Sequence, residues 1–349
     1  MRIAPSLGVS SPFNLPLVRG SERIDKKRCE KKWYWRWRKG LFPKATKFGA
    51  VDLGTWVHGA FEWWYQPGLE RRGNLAELFT SRANLDIRIA ESNNVPQYVL
   101  DDAEELAMLG EAMMAAYEKH YEDEYVDVIE AEIGLDFIIA DADGKPVASH
   151  RFKPDLLYRD KDRFIWLMEH KTAGQPNTDH LPIDDQARPY GAMAQLALRK
   201  AGVIGPKEEV RGIMYNFLRK ALPDERPTDS KGRALNKNGA VSKRQPTINF
   251  TRHPVRLTNK AKAVTLRRLQ RETIAITGMA QALREGRLDP ALLDKTPSKS
   301  CPRFCQYFEM CKLEEEGGDI RPLERGMYVR RNPYDYEDSA EELTSFEMG

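Results

Sequence analysis

The sequence predicts an α/β fold, with a central mixed sheet flanked by helices. Three observations carry that prediction. Strand-like runs at 126–140, 147–158 and 164–171 follow one another, separated by the turn sequences D-A-D-G and R-D-K-D. Helical spacing at about 184–200 and 258–283 then brackets a further strand near 210–218. Finally, the four cysteines are split: Cys29 stands near the start, while Cys301, Cys305 and Cys311 crowd together near the end. Three neighbouring thiols leave a four-thiolate site one ligand short, and Cys29 is the one thiol left to complete it.

Each element has its own signal. Residues 1–20 read as irregular. Residues 22–39 read as a basic, aromatic helix, in which nine Lys or Arg oppose three acids and Trp33, Tyr34, Trp35 and Trp37 are interleaved. Those aromatics either stack on nucleic-acid bases or pack inside the protein, with packing expected for most of them. Apolar spacing predicts a helix at about 48–65, and acids open another at 101–119, as the helix dipole favours. Residues 219–244 form a polar loop with eight Lys or Arg against three acids, expected to be mobile and suited to contacting a polyanion. A short strand is expected near 247–250. The end after Arg331 holds six acids and no Lys or Arg, and reads as a solubilising tail.

Bulk composition narrows the class. With 349 residues, 41% hydrophobic and 31% charged, the chain is of globular type and can bury a large core. A net charge of +3 names no partner by itself. No apolar run approaches the ~20 residues of a membrane span, and the N-terminus lacks the apolar run of an export signal. The expected location is therefore cytoplasmic, where thiols stay reduced and favour a metal over disulfides.

The chemistry concentrates in the third strand run, W-L-M-E-H-K-T. Alternation puts Glu169 and Lys171 on one face and His170 on the other. Asp155 lies on the preceding run across a hairpin. Strands ~4.8 Å apart let Asp155 and Glu169 reach one divalent cation. Mg²⁺ or Mn²⁺ suits such carboxylates and binds phosphate oxygen, and Lys171 is placed to hold the attacking water or neutralise charge on phosphorus. Taken alone, Glu169 and Lys171 also fit a plain surface ion pair.

K-P-D at 153–155 with E-H-K at 169–171 resembles the PD-(D/E)XK nuclease superfamily. The closer resemblance is to RecB-like and CRISPR-associated exonucleases and their phage-encoded relatives. It implies a restriction-endonuclease-like core and hydrolysis of DNA phosphodiester bonds, with a role in recombination, repair or phage genome processing. By the same resemblance His58, in Gly54-x-x-x-His58, joins Asp155, Glu169 and the main-chain carbonyl of His170 as a metal ligand. Glu132, next to the alternative Glu130, corresponds to a further acid. Gln186 and Tyr190, in Q-x-x-x-Y, contact DNA. Cys29, Cys301, Cys305 and Cys311 match the one-plus-three cysteines that bind a [4Fe–4S] cluster in AddB-like members. The implied partners are DNA and a helicase or recombinase, in bacterial or phage-infected cytoplasm.

The sequence departs from the pattern in three places. Phe152 stands where glycine is common, Pro189 interrupts the Q-x-x-x-Y helix, and the cysteines are spaced C-x3-C-x5-C. The expected division is an irregular 1–20, a nuclease domain at 21–312 clasped by the cluster, and an acidic flexible tail at 313–349. A structure-specific or flap endonuclease on the same fold and a non-catalytic DNA-binding subunit are the alternatives.

Overall fold

A computed structural model describes residues 15–44, 48–67, 73–132, 134–224, 226–245 and 249–334. Its centre is a five-stranded sheet in the order β3-β6-β7-β8-β9, made of β3 (Asp127–Ala131), β6 (Leu156–Arg159), β7 (Ile165–Ala173), β8 (Val210–Arg219) and β9 (Phe250–Arg256). Only β7 and β8 are parallel, joined by a crossover through helix α6 (Ala187–Lys200); the other pairs are antiparallel. This is the mixed sheet that the sequence predicts.

Alternation along the strands assigns the two faces. Leu156, Tyr158, Trp166 and Met168 face helices α3 (Ala50–Trp64), α4 (Leu75–Ser92) and α5 (Gln97–His120) in one apolar core. Leu157, Ile165 and Leu167 face α6 and α7 (Asn259–Arg284) in a second core. Glu169 and Lys171 continue the α6 side and His170 the α3 side. The sequence reading placed α3, α5, α6 and α7 but not α4, whose alternating charges hide a stripe of Leu75, Phe79, Ala83 and Ile87.

Two expected strands are broken. The run 126–140 divides at Glu132, whose φ of 49° turns the chain out of β3, so that β4 (Leu135–Ala140) joins a different sheet. The run 147–158 divides at Lys153-Pro154-Asp155: β5 (Pro146–Phe152) ends there and β6 begins just after. Pro154 has no N–H for a ladder, which fits a break between sheets. In the smaller sheet β5 lies between β4 and β1 (Leu17–Arg19).

The predicted helix at 22–39 is also interrupted. Helix α1 (Gly20–Arg28) stops at Cys29, whose backbone is extended; α2 (Glu30–Trp33) then runs into a π-helical turn at Tyr34–Arg38. The alternate tryptophans serve two cores. Trp33 and Trp37 pack with Val18, Ala148 and Ile276, whereas Trp35 packs with Leu41, Tyr307, Met310 and Tyr328. All three are buried, so they form no base-stacking platform. Neighbouring charges are paired within the protein, Lys31 with Glu314 at 2.7 Å and Lys39 with Glu324 at 2.9 Å.

The chain beyond Lys312 does not begin a tail at 313. Helices α8 (Cys301–Phe304), α9 (Phe308–Glu315) and α10 (Arg321–Met327) lead into β10 (Tyr328–Arg330), which pairs antiparallel with β2 (Leu41–Pro43). The acids at 335–349, the irregular 1–14 and the start of the strand expected at 247 lie outside the described residues; the described strand β9 opens at Phe250. The described part of the basic loop after β8 carries local structure. Bridges pair Thr228 with Ala234 and Leu235 with Val241, and Asp229 caps a tight turn by accepting from the N–H groups of Lys231 and Arg233. Among the described residues, no helix is long and apolar enough to cross a membrane.

Candidate active site

Three elements converge at the edge where the two larger sheets part. Helix α3 brings His58, the turn after β3 brings Glu132, and the break before β6 brings Asp155. His58 Nδ1 lies 3.3 Å from Glu132 Oε1 and 3.4 Å from Asp155 Oδ1. One ligand atom from each of the three lies within 4.8 Å of the others. The left-handed backbone of Glu132 is uncommon for a residue with a side chain, and it aims this carboxylate inward. Its N–H donates to the Asp155 carbonyl at 3.0 Å, and Lys153 Nζ pairs with its Oε2 at 3.1 Å. Glu130, the alternative acid, is absent from this cluster.

Asp155 is gripped from behind, because the His170 N–H donates to its Oδ2 at 2.6 Å. Lys171 Nζ donates to Glu169 Oε1 at 2.5 Å. Glu169 is only 3% exposed, and its Oε2 has no partner among the described residues. An unsatisfied buried carboxylate oxygen is costly unless something supplies positive charge. The shared face read from the E-x-K alternation thus takes form as a contact. At Gly54 helix α3 passes beside β7: a Cβ there would stand 3.6 Å from Thr172 Oγ1, an ordinary contact.

Burial and charge split the ionisations. Burial opposes charge on His58, yet Asp155 and Glu132 outweigh it and raise the imidazole well above its ordinary value. Burial also opposes charge on Asp155, but His58 outweighs it and holds the carboxyl low. Glu169 is raised, chiefly by burial, with Lys171 opposing and Asp155 adding. Burial works against charge on Lys171, but Glu169 more than restores it. An imidazole nitrogen with clustered carboxylate oxygens is a donor set that fits a hard divalent cation such as Mg²⁺ or Mn²⁺.

Behind the site runs a network that the sequence reading did not identify. His170, Asn216 and Arg252 are register partners across β7, β8 and β9. Arg252 Nε donates to Asn216 Oδ1 at 3.2 Å, which orients the amide. Asn216 Nδ2 then donates to Tyr117 Oη at 2.9 Å and to His170 Nδ1 at 2.8 Å. His170 Nδ1 therefore accepts, and the neutral ring carries its proton on Nε2. Burial keeps that ring neutral, lowering its pKa to about 3. The ring also stacks on Phe61 with centroids 4.2 Å apart, and Arg252 is held by Glu124. A polar Asn inside the apolar run I-M-Y-N-F-L was the available signal.

The remaining sequence candidates sit at the rim or apart. Gln186 is the N-cap residue of α6, and Pro189 is the third residue of that helix, where no interior hydrogen bond is lost. Tyr190 turns inward: its ring lies 5.6 Å from that of Phe152, and a Cβ on Gly20 would meet its hydroxyl at 2.7 Å. The cysteines make no set of three ligand atoms within 4.8 Å among the described residues. A single tetrahedral zinc holds its sulfurs about 3.8 Å apart, from a Zn–S length of ~2.3 Å, so the thiols as placed are too open for one ion.

No curated protein searched matches the chain significantly. A family model, by contrast, matches residues 26–312 and so takes in His58, Glu132, Asp155, Glu169, Lys171 and all four cysteines. With a mixed sheet, flanking helices and an acidic cluster at the sheet's edge, the chain belongs to the PD-(D/E)XK nuclease superfamily, a family of nucleases that use divalent metals.

Proposed function

We propose that the protein is a Mg²⁺- or Mn²⁺-dependent DNA exonuclease of the RecB-like kind, serving recombination, repair or phage genome processing. The observation that carries the reading is the convergence of His58, Glu132 and Asp155 from three separate elements beside Glu169 and Lys171. His58, Asp155, Glu169 and the His170 carbonyl would hold the cation, with Glu132 alongside. When bound, such a cation lowers the pKa of a coordinated water and polarises a phosphoryl oxygen. Lys171, released from Glu169, orients the attacking water or neutralises charge that develops on the phosphate. Before the cation binds, His58 stabilises the Asp155 anion and holds its carboxyl low. Gln186 at the rim positions the strand, with Tyr190 bracing the helix that carries it. Lys231, Lys237 and Lys243 on the basic loop offer phosphate contacts.

Cys29, Cys301, Cys305 and Cys311 are assigned in the same proposal to a [4Fe–4S] cluster. Support comes from their placement: Cys305 and Cys311 both pack against the core of Trp35, Leu41 and Tyr307, and Cys29 is the N-cap of the short helix that leads to Trp35. Four thiolates are the set such a cluster takes.

Anaerobically purified protein with Mn²⁺ should digest end-labelled linear DNA and leave a covalently closed circle intact. Cutting of the circle would replace the exonuclease by an endonuclease. Absence of any cleavage would leave a DNA-binding subunit.

A further inference from the structure

A second site lies at the opposite end of the five-stranded sheet. There the starts of β7 and β8, the end of β9 and the start of α7 surround a cavity of about 540 Å³. At ~3.3 Å per residue, Ile165 at its floor stands about 13 Å along β7 from Glu169. None of the residues of the hydrolytic centre lines it.

Its chemistry is specific. Phe164 is 42% exposed, and the Arg211 guanidinium lies 3.5 Å from the centroid of its ring. The pair presents flat, polarisable surfaces of the kind on which nucleobases stack. Arg211, Lys207 and Arg256 line the cavity, and among the described residues none of them has a carboxylate partner. Glu208 and Glu209 also line the cavity, and each has a partner other than Arg211, Lys207 or Arg256. Glu208 accepts from the Gly205 N–H at 2.7 Å and approaches Arg159, while Glu209 lies 3.8 Å from Lys262. Positive charge is thus left over beside an aromatic platform, and the positive end of the 26-residue helix α7 adds to it. The volume falls in the range of small-molecule sites and accommodates one nucleotide.

We propose that this cavity binds a nucleotide, its base on Phe164 and Arg211 and its phosphate between Lys207 and Arg256. The ligand is either a free deoxynucleoside monophosphate or one nucleotide of a DNA strand; only the choice of DNA as a source rests on the nuclease reading. Calorimetric titration of the full-length protein in EDTA, with dAMP, deoxyadenosine and inorganic phosphate, tests the site without reference to cleavage. The expected result is saturable dAMP binding, at least tenfold tighter than either fragment. Phe164→Leu combined with Arg211→Ala should weaken it at least tenfold and leave the melting temperature and the cleavage of short linear DNA unchanged. Competition by a 12-nucleotide single strand would identify a DNA strand as the source, and lack of competition a free nucleotide. If dAMP does not bind, or binds the double variant with unchanged affinity, the proposal is overturned. Loss of cleavage in Asp155→Asn reads the hydrolytic centre separately, so failure of one reading is distinguishable from failure of the other.

Discussion

The carboxylate cluster and the cysteine region are both places where distant parts of the chain meet, but they are held in opposite ways. At the cluster, main-chain groups fix the ligands: the His170 N–H grips Asp155, and the Asp155 carbonyl accepts from Glu132. At the cysteines, the surrounding protein is joined and the thiols are not gathered. Tyr307 Oη donates to the Leu41 carbonyl at 2.6 Å, β10 pairs with β2, and Lys31 bonds Glu314. One centre has its side chains already gathered, as the proposed ion requires. The other is a scaffold in which β2 and β10 are joined, and the proposed cluster would have to draw the sulfurs together.

Breaking the first centre should produce the largest effect. Asp155→Asn keeps the volume and removes the anion, so Mn²⁺-dependent cleavage should fall by more than the ~100-fold typical of losing a supporting residue. Retention of a tenth of wild-type activity would refute the assignment. Asn216→Ala removes the donor that orients His170 and should cost about 10–100-fold, chiefly as a higher Mn²⁺ concentration for half-maximal rate. An unchanged metal requirement would make that network purely structural.

The cysteine region sharpens the contrast. Closing a chain this long through one link restrains the unfolded state by about 5 kcal/mol in simple loop models. Cys301→Ser should therefore give colourless protein with a lowered melting temperature. The β2–β10 pair and the Trp35–Tyr307 contact should keep the fold cooperative. A melting temperature equal to that of the wild-type protein would remove the proposed cluster from the stability argument.

The smallest effect is graded and concerns pH. In the metal-free protein His58 is protonated between two carboxylates, so a cation must displace that proton. Divalent affinity should rise with pH, by up to about tenfold per unit while His58 remains charged. Folding runs the other way. The contribution of the raised His58 is complete below its ordinary value of 6.5 and is lost as pH rises through the raised one. Calorimetry in buffers of different ionisation enthalpy would reveal the released proton, and pH-independent binding would contradict the ion triad.

How much of this was legible depended on whether a residue's role is local. Glu169, His170 and Lys171 declare their faces by alternation, and the neighbouring Asp155 follows from one hairpin. Gly54 and His58 lie on a helix whose apolar spacing is plain. The choice of Glu132 over Glu130 came from the resemblance and not from local pattern, because its geometry depends on one left-handed residue that breaks the strand. The division of Trp33, Trp35 and Trp37 between two cores was not legible. Period-two aromatics read as one basic, aromatic helix with most of its rings packed, until Leu41 and Tyr307 claim the middle one. Asn216 and Arg252 were hidden for a related reason: strand register across three segments brings them to His170.

The β2–β10 pair has a consequence for synthesis of the protein. Its two strands stand at nearly opposite ends of the sequence, and translation at ~5–20 residues per second separates their appearance by tens of seconds. Until β10 emerges, Leu41 and Trp35 have no partner in Tyr307 or Tyr328, and this apolar surface stays open to water and to chaperones. Truncation near residue 300 should therefore expose a sticky amino-terminal segment even though every strand of the five-stranded sheet has been made.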